Sequence, residues 1–386
     1  MGMWIGRGRK ARQTYGLDEI ALVPGTLTID PDDTDTSWEI GGQKFPIPII
    51  AAAMDGVVDV PFAIRMGEMG GFGILNLEGV QTRYEDPTDA LQAIATSEPG
   101  DSTGIVQKIY SAPIKEDLIA RRIEEIKASG QKAVVSSIPP KATRFGKIAE
   151  EAGVDIFVIQ ATVSTVRYES SKHETVDLKK VCAEMKAPVI IGNTVTTEAC
   201  LELMECNPAG ILVGVGPGEA CTSRGVLGLG VPQVTATVDC AFARDFYYKR
   251  TGRYIPIITD GGMSKGGDIC KALACGADAV VVGSAFAKAK EAPGRGYHWG
   301  MATPHHNLPR GTRVHVGTTG SLEEILYGPA HVDDGSQNIV GAIKTCMGSV
   351  GARNLKDFQM TEIIIAPAIK SEGKLYQRTQ RIGMGK

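Results

Sequence analysis

Eight short apolar runs between residues 49 and 282 constrain the fold of this chain more than any other feature. The first four are Ile49-Ile50-Ala51-Ala52, Gly73-Ile74-Leu75, Ala133-Val134-Val135 and Ile156-Phe157-Val158-Ile159. Val189-Ile190-Ile191, Ile211-Leu212-Val213, Ile255-Pro256-Ile257-Ile258 and Ala279-Val280-Val281-Val282 complete the set. Six are nearly uninterrupted by polar residues, the pattern of parallel strands covered on both faces. Between most of them lie stretches of helical periodicity. Residues 118–128 show it through Leu118, Ile119, Arg122, Ile123 and Ile126, and residues 265–275 show it again. Eight strand–helix units predict an α/β fold, a (β/α)8 TIM barrel. A doubly wound sheet is the other architecture this alternation allows. The 386 residues are expected to form one catalytic domain over 1–386. Within it we expect an N-terminal segment at 1–47, a rim loop or flap region at 295–340 and a C-terminal tail at 361–386.

Composition narrows the function. A net charge of −3 without a long basic run argues against nucleic acid as a partner. No apolar stretch reaches the ~18 residues of a spanning helix, and no apolar signal core follows the basic first residues. A cytoplasmic protein without membrane attachment is expected. The eight cysteines show no paired C-x-x-C spacing and should be reduced thiols.

The predicted strand ends hold the polar chemistry. Met54-Asp55 follows the first strand, Asn76 the second, Gln160 the fourth and Asn193 the fifth. Gly214-Val215-Gly216-Pro217-Gly218-Glu219-Ala220-Cys221-Thr222-Ser223-Arg224 follows the sixth, Asp260-Gly261-Gly262 the seventh and Gly283-Ser284 the eighth. A barrel gathers all of these on one rim, where active sites are built. Each alone also reads as a turn or a helix cap.

In the sixth loop, three glycines at alternate positions suit a backbone that must approach a ligand. The loop then delivers Cys221, two hydroxyls and Arg224, a setting in which a nucleophilic thiol is presented. A glycine turn followed by a buried structural cysteine reads equally well from this segment. The loops after strands seven and eight fit the phosphate site common to barrels, where backbone N–H groups hold an anion without a basic patch. Asp260 suits hydrogen bonds from a ribose diol, or an N-cap for a helix near Ser264. No stretch satisfies the dinucleotide fingerprint in context, so a dinucleotide would have to bind on the barrel rim.

Taken together these segments resemble the IMP dehydrogenase/GMP reductase superfamily over nearly the whole chain. Tyr15-Gly16-Leu17-Asp18-Glu19-Ile20-Ala21-Leu22-Val23-Pro24 is similar to its N-terminal motif, and Ala52-Ala53-Met54-Asp55 stands where the family has Ser-Pro-Met-Asp. Gly192-Asn193, the cysteine loop, Asp260-Gly261-Gly262, Gly283-Ser284 and Glu291-Ala292-Pro293-Gly294 match as well. Residues 78–132 are too few for the paired CBS modules usual in IMP dehydrogenases. They read as helices around a linker at 98–103, so the chain resembles the related subgroup that lacks a CBS domain.

The resemblance implies NAD-dependent oxidation of IMP to XMP, a step of guanine nucleotide biosynthesis. Cys221 would attack purine C2, hydride would leave for NAD, and water would hydrolyse the thioimidate, with Ser223 as the second catalytic residue. It places substrate against Met54, Asn193, Gly218, Glu219, Asp260, Gly261, Gly262, Gly283, Ser284, Thr319 and Gly320. The cofactor falls against Gln160, Thr162, Gly214 and Gly216. A monovalent cation such as potassium would be held by the backbone carbonyls of Gly216, Gly218 and Cys221. Glu372-Gly373-Lys374 resembles the segment with which a neighbouring subunit completes that site, and a homo-oligomer, a tetramer or larger, is implied.

GMP reductase, which uses NADPH, is the close rival. The reductases carry a glutamate where this chain has Leu322, and leucine cannot transfer a proton. Several positions depart from the dehydrogenase pattern. Ser223 replaces threonine, Glu219 a small phosphate-binding residue, Gln160 an aspartate and Leu212 a basic residue. The mobile flap with its Arg-Tyr pair is not recognisable, which leaves the water-activating base unplaced. Residues 298–313, with His305, His306 and Arg310, read either as a lid that supplies the base or as a surface loop. These departures also keep open a purine-nucleotide-binding protein with little catalysis, although a pure binder has no need of a thiol at 221.

Overall fold

The fold is taken from a computed structural model that describes residues 2–171, 175–300, 302, 305 and 307–385. The eight apolar runs become the strands β1 (Ile49–Ala51), β2 (Phe72–Asn76), β3 (Val134–Ser137), β4 (Ile156–Gln160), β5 (Val189–Thr194), β6 (Gly210–Val213), β7 (Ile257–Asp260) and β8 (Ala279–Val282). They pair in parallel with their neighbours and close into a barrel through Val281 of β8 opposite Ile50 of β1. This is the TIM barrel, and the doubly wound alternative falls away because no edge strand remains.

Strand after strand is buried on both faces: Ile49, Ile50, Ile190 and Val280 are all fully enclosed. Each faces either the barrel interior or a surrounding helix, which is why the sequence shows runs rather than alternation. The helices that cover the barrel begin and end on local signals. Asp59 caps Val60–Glu68 by accepting from the Phe62 amide at 2.8 Å, and Thr196 caps Thr197–Met204. Gly252, with φ at +73°, ends the long helix Gln233–Thr251. The predicted helices at 118–128 and 265–275 are observed as Glu116–Ala128 and Gly266–Ala274.

The N-terminal end of the barrel is plugged by a hairpin of Trp38–Ile40 and Gln43–Phe45. The rings of Trp38 and Phe45 lie 6.2 and 4.8 Å from Phe72 at the start of β2. The opposite end is therefore the one left for ligands.

Between β2 and β3 the chain forms the helices Thr88–Ala95, Ser102–Tyr110 and Glu116–Ala128. The first two build a small second core from Leu91, Ile94 and Val106 around Val80 of the turn after β2, and Trp299 from a distant hairpin completes it. That hairpin, Tyr297–Trp299 paired with Arg313–His315, rises from the rim after β8. Arg313 fastens it by donating to the carbonyls of Ile94, Ala95 and Ser97 at 2.6 to 3.0 Å, which caps the end of helix Thr88–Ala95. No helix among the described residues is long and apolar enough to cross a membrane, and all eight cysteines are free thiols.

Candidate active site

A cavity of about 580 Å³ opens at the C-terminal ends of the strands. That is within the usual range for small-molecule sites. It is built by the loops that follow β1, β4, β5, β6, β7 and β8, together with residues of β3's loop and of the hairpin region.

The cysteine loop forms one wall. Gly214 takes φ of +152° and Gly216 of +78°. A Cβ on Gly214 would stand 2.3 Å from the Asp260 carbonyl, so only glycine lets this loop cross the end of β7. Gln233, buried at the start of the following helix, braces both loops from behind. Its amide donates to the Val213 carbonyl at 2.7 Å and to the Asp260 carbonyl at 3.2 Å. The Cys221 amide donates to the Gly218 carbonyl at 3.0 Å in a tight turn that leaves the thiol partly buried at the cavity edge. Ser223 lines the cavity too, and its enclosed hydroxyl has no partner among the described residues. Arg224 does not face the thiol. Its side chain lies across Gly216 and Gly230 and donates to the Val231 carbonyl at 3.0 Å, so it braces the loop.

The segment after the hairpin docks on the same loop. The Thr222 amide donates to Arg310 and the Thr312 amide to Ala220, each at 2.9 Å, with Cys221 and Gly311 bridged between them. Arg310 also lines the cavity. These contacts remove the free surface loop as a description of this segment's end. His306 lies outside the described residues, and His305 is exposed.

Asp260 sits at the floor with Asn193 and Gln160. Its Oδ2 accepts from the Asn193 amide at 2.8 Å and the Gln160 amide at 3.0 Å, which ties β7, β5 and β4 together. Burial pushes its carboxyl up to about 6, with the two amide donors pulling the other way. It caps no helix: Gly266–Ala274 begins after Lys265, and the Ser264 amide turns to Asp268. The Gln160 side-chain oxygen is enclosed and has no partner among the described residues.

Gly261, Gly262, Gly283 and Ser284 line the end of the cavity where the phosphate loops were expected, with Gly218 and the exposed Glu219. Gly262 takes φ of +80° and packs against Pro217 of the cysteine loop. Met54, Thr162 and Gly216 are also on the wall. The sequence did not single out the partner of Ser284. His298, 1% exposed, places Nε2 3.1 Å from the Ser284 Oγ. Burial lowers the imidazole's pKa, and the Glu219 carboxylate opposes that shift.

Two residues expected against substrate stand outside the cavity. Thr319 is exposed and its carbonyl accepts from Gln337 at 3.1 Å, while Gly320 bridges to Ala289. They lead into a helix whose capping box is Ser321 and Glu324. Asp55 likewise turns away from Met54's side of the wall. Fully buried, it accepts hydrogen bonds from Tyr110 and from the Val80 amide, and burial raises it to about 6. Trp299 donates to the same Tyr110 hydroxyl at 2.8 Å. Leu322 is completely buried.

The profile of the IMP dehydrogenase / GMP reductase domain matches residues 14–374. The chain belongs to that family, and it is an IMP-dehydrogenase-like oxidoreductase. An uncharacterised oxidoreductase of Mycolicibacterium smegmatis is 37% identical over 370 residues, covering 94% of this chain and 99% of the relative. The inosine-5'-monophosphate dehydrogenase of Cryptosporidium parvum is 29% identical over 375 residues, with 88% of each chain covered. The crystal structure of an IMP dehydrogenase/GMP reductase-like protein from Corynebacterium glutamicum superposes with a TM-score of 0.90. It is 35% identical, and 94% of this chain and 97% of that one are covered.

Proposed function

We propose that the protein oxidises IMP to XMP with NAD, through a covalent intermediate on Cys221. The observation that carries this reading is the single cavity shared by the Cys221 thiol, the unpartnered Ser223 hydroxyl and the Asp260 carboxylate. In the proposed course the Cys221 sulfur bonds to purine C2. The hydride on that carbon would leave with its electron pair, and a bound NAD would supply the acceptor for it. Water then adds to C2, the C–S bond breaks, and the thiolate is restored with release of a proton. Asp260 holds the ribose hydroxyls, and the loops carrying Gly262 and Gly283-Ser284 hold the phosphate.

The residues present suit a dinucleotide beside the substrate. The wall continues past Gln160 and Thr162 to Ile138, Pro139 and Tyr168, and the orphaned Gln160 oxygen offers an acceptor for an amide. For a cation, no group of three or more His, Cys, Asp or Glu side chains converges among the described residues. Backbone carbonyls are what the loop offers. That of Gly218 already accepts from Cys221 and keeps one lone pair free. Docking of residues 310–312 on the cysteine loop supports a role for this segment in excluding or activating water.

The absence of a carboxylate at 322 favours the dehydrogenase over the reductase. Next to the buried leucine, Glu323 pairs with Arg65 at 2.9 Å and Glu324 serves the helix cap. Self-association is supported by the exposed stripe Val238, Phe242 and Phe246 along one face of helix Gln233–Thr251. The deciding assay follows absorbance at 340 nm with IMP plus NAD and, separately, with GMP plus NADPH. NADH formation dependent on IMP is expected. Oxidation of NADPH dependent on GMP, without the first activity, overturns the assignment.

A further inference from the structure

His298 is a buried histidine that its surroundings do not fully satisfy. The residue is 1% exposed, Nε2 faces the Ser284 hydroxyl at 3.1 Å, and Nδ1 is enclosed with no partner among the described residues. Buried polar groups are normally paired, and a ring held only for packing would have no reason to keep one nitrogen orphaned. Its one bond is to a hydroxyl on the cavity wall, and His298 lines the same wall.

The hydrogen bond has two possible senses. If Ser284 donates to Nε2, the hydroxyl presents only lone pairs to the cavity, and a buried Nδ1–H is left unsatisfied. If Nε2–H donates to Ser284, the serine hydrogen is free to point at the ligand, and the orphan is an acceptor. An ionised phosphate only accepts hydrogen bonds, so it binds the second arrangement alone. The doubly protonated ring donates from Nε2 as well, so the sense of the bond does not depend on the charge of His298. Among the described residues, Glu219 is the charged group whose field reaches the ring. Its carboxylate, on the neighbouring stretch of wall, is itself unfavourable to an anion, which makes a correctly aimed donor more valuable here.

We infer that His298 is a positioning residue: by donating to Ser284 it fixes that hydroxyl as a donor toward the cavity and selects ligands ending in a phosphate monoester. This rests on the nucleotide reading of the site and adds to it a specificity element contributed by the hairpin Tyr297–Trp299. A nucleoside, whose terminal hydroxyl can donate or accept, gains nothing from the aimed donor.

Titration calorimetry of IMP and of inosine on the intact protein tests this without relying on turnover. His298→Leu and Ser284→Ala should each weaken IMP binding roughly tenfold or more, as expected for a lost hydrogen bond to a charged group. Inosine binding should stay within about twofold. The double variant should lose no more than either single one, because both changes remove the same aimed donor. His298→Gln, whose side-chain amide can still donate to Ser284, should restore most of the affinity. Equal losses for IMP and inosine, or losses that multiply in the double variant, overturn the inference. A wild-type protein that binds IMP but does not oxidise it refutes the proposed reaction and leaves this pair to be judged by the same binding cycle. A wild-type protein that prefers inosine to IMP refutes the pair directly.

Discussion

Asp260→Asn should make the protein more stable at neutral and alkaline pH while weakening nucleotide binding. The wild-type carboxyl is raised from 3.8 to about 6 because folding encloses it, and the amides of Asn193 and Gln160 recover only part of the cost. The unfolded chain ionises the same group freely near its ordinary value. Relative to a neutral isostere, Asp260 therefore costs nothing below pH 3.8, and stability is lost as the pH rises through 6. Raising the carboxyl from 3.8 to about 6 corresponds to roughly 3 kcal/mol. Solvent in the cavity reaches part of the residue, which trims this to about 2 kcal/mol at pH 8. Both amides donate to Oδ2, so an asparagine with its oxygen in that place can still accept from both. For a chain of this size the gain corresponds to a Tm increase of about 2–3 °C. Scanning calorimetry at pH 8, 6 and 4 is the assay, and the difference should shrink to below about 1 kcal/mol at the acid end. A variant less stable than wild type at pH 8, or an offset independent of pH, refutes the reasoning. Loss of stability offset by a functional charge is the expected relation at a site built for binding.

Cys221→Ala should abolish turnover while calorimetry still shows IMP bound; near-normal turnover removes the covalent mechanism. Asp260→Ala should raise the KM for nucleotide strongly, by the equivalent of about 1.5–3 kcal/mol for one hydrogen bond to a charged group, with circular dichroism confirming the fold. Deleting residues 305–308 should slow hydrolysis more than hydride transfer, so that rapid mixing shows a burst of NADH before a slower steady state; two unchanged phases in a folded variant exclude this segment from water activation. Phe242→Glu, on the exposed stripe of helix Gln233–Thr251, should lower the mass seen by light scattering if that stripe joins subunits, and an unchanged mass places the interface elsewhere.

The barrel was legible because its strands are buried on both faces. Ile190 and Val280 have no solvent side to alternate with, so each strand announces itself as a run between polar loops. The convergence of Cys221, Asp260 and Ser284 on one cavity was legible for the same reason, since a barrel converts sequence position after a strand into position on one rim. His298 was not, because nothing in a non-periodic segment shows that it folds back onto Ser284. Gln233, which braces two loops at once, reads from sequence as an ordinary helix start. Thr319 and Gly320 were carried toward the substrate by resemblance, while Ser321 and Glu324 beside them already spelled a helix start. Arg224 looked like a charge for the thiol, but its long side chain reached a nearer carbonyl at Val231.

The hairpin that carries His298 is moored on its outer side to the small core of Val80, Leu91, Ile94, Val106 and Trp299, and to three carbonyls through Arg313, while only a few hydrogen bonds tie it to the barrel's rim loops. Five buried side chains hold far less free energy than the barrel's continuous interior. Opening of this patch is a sub-global event with its own, lower free energy. Heating should therefore inactivate the protein some degrees before the barrel melts, with amide exchange in residues 88–110 and 297–299 rising at the same temperature.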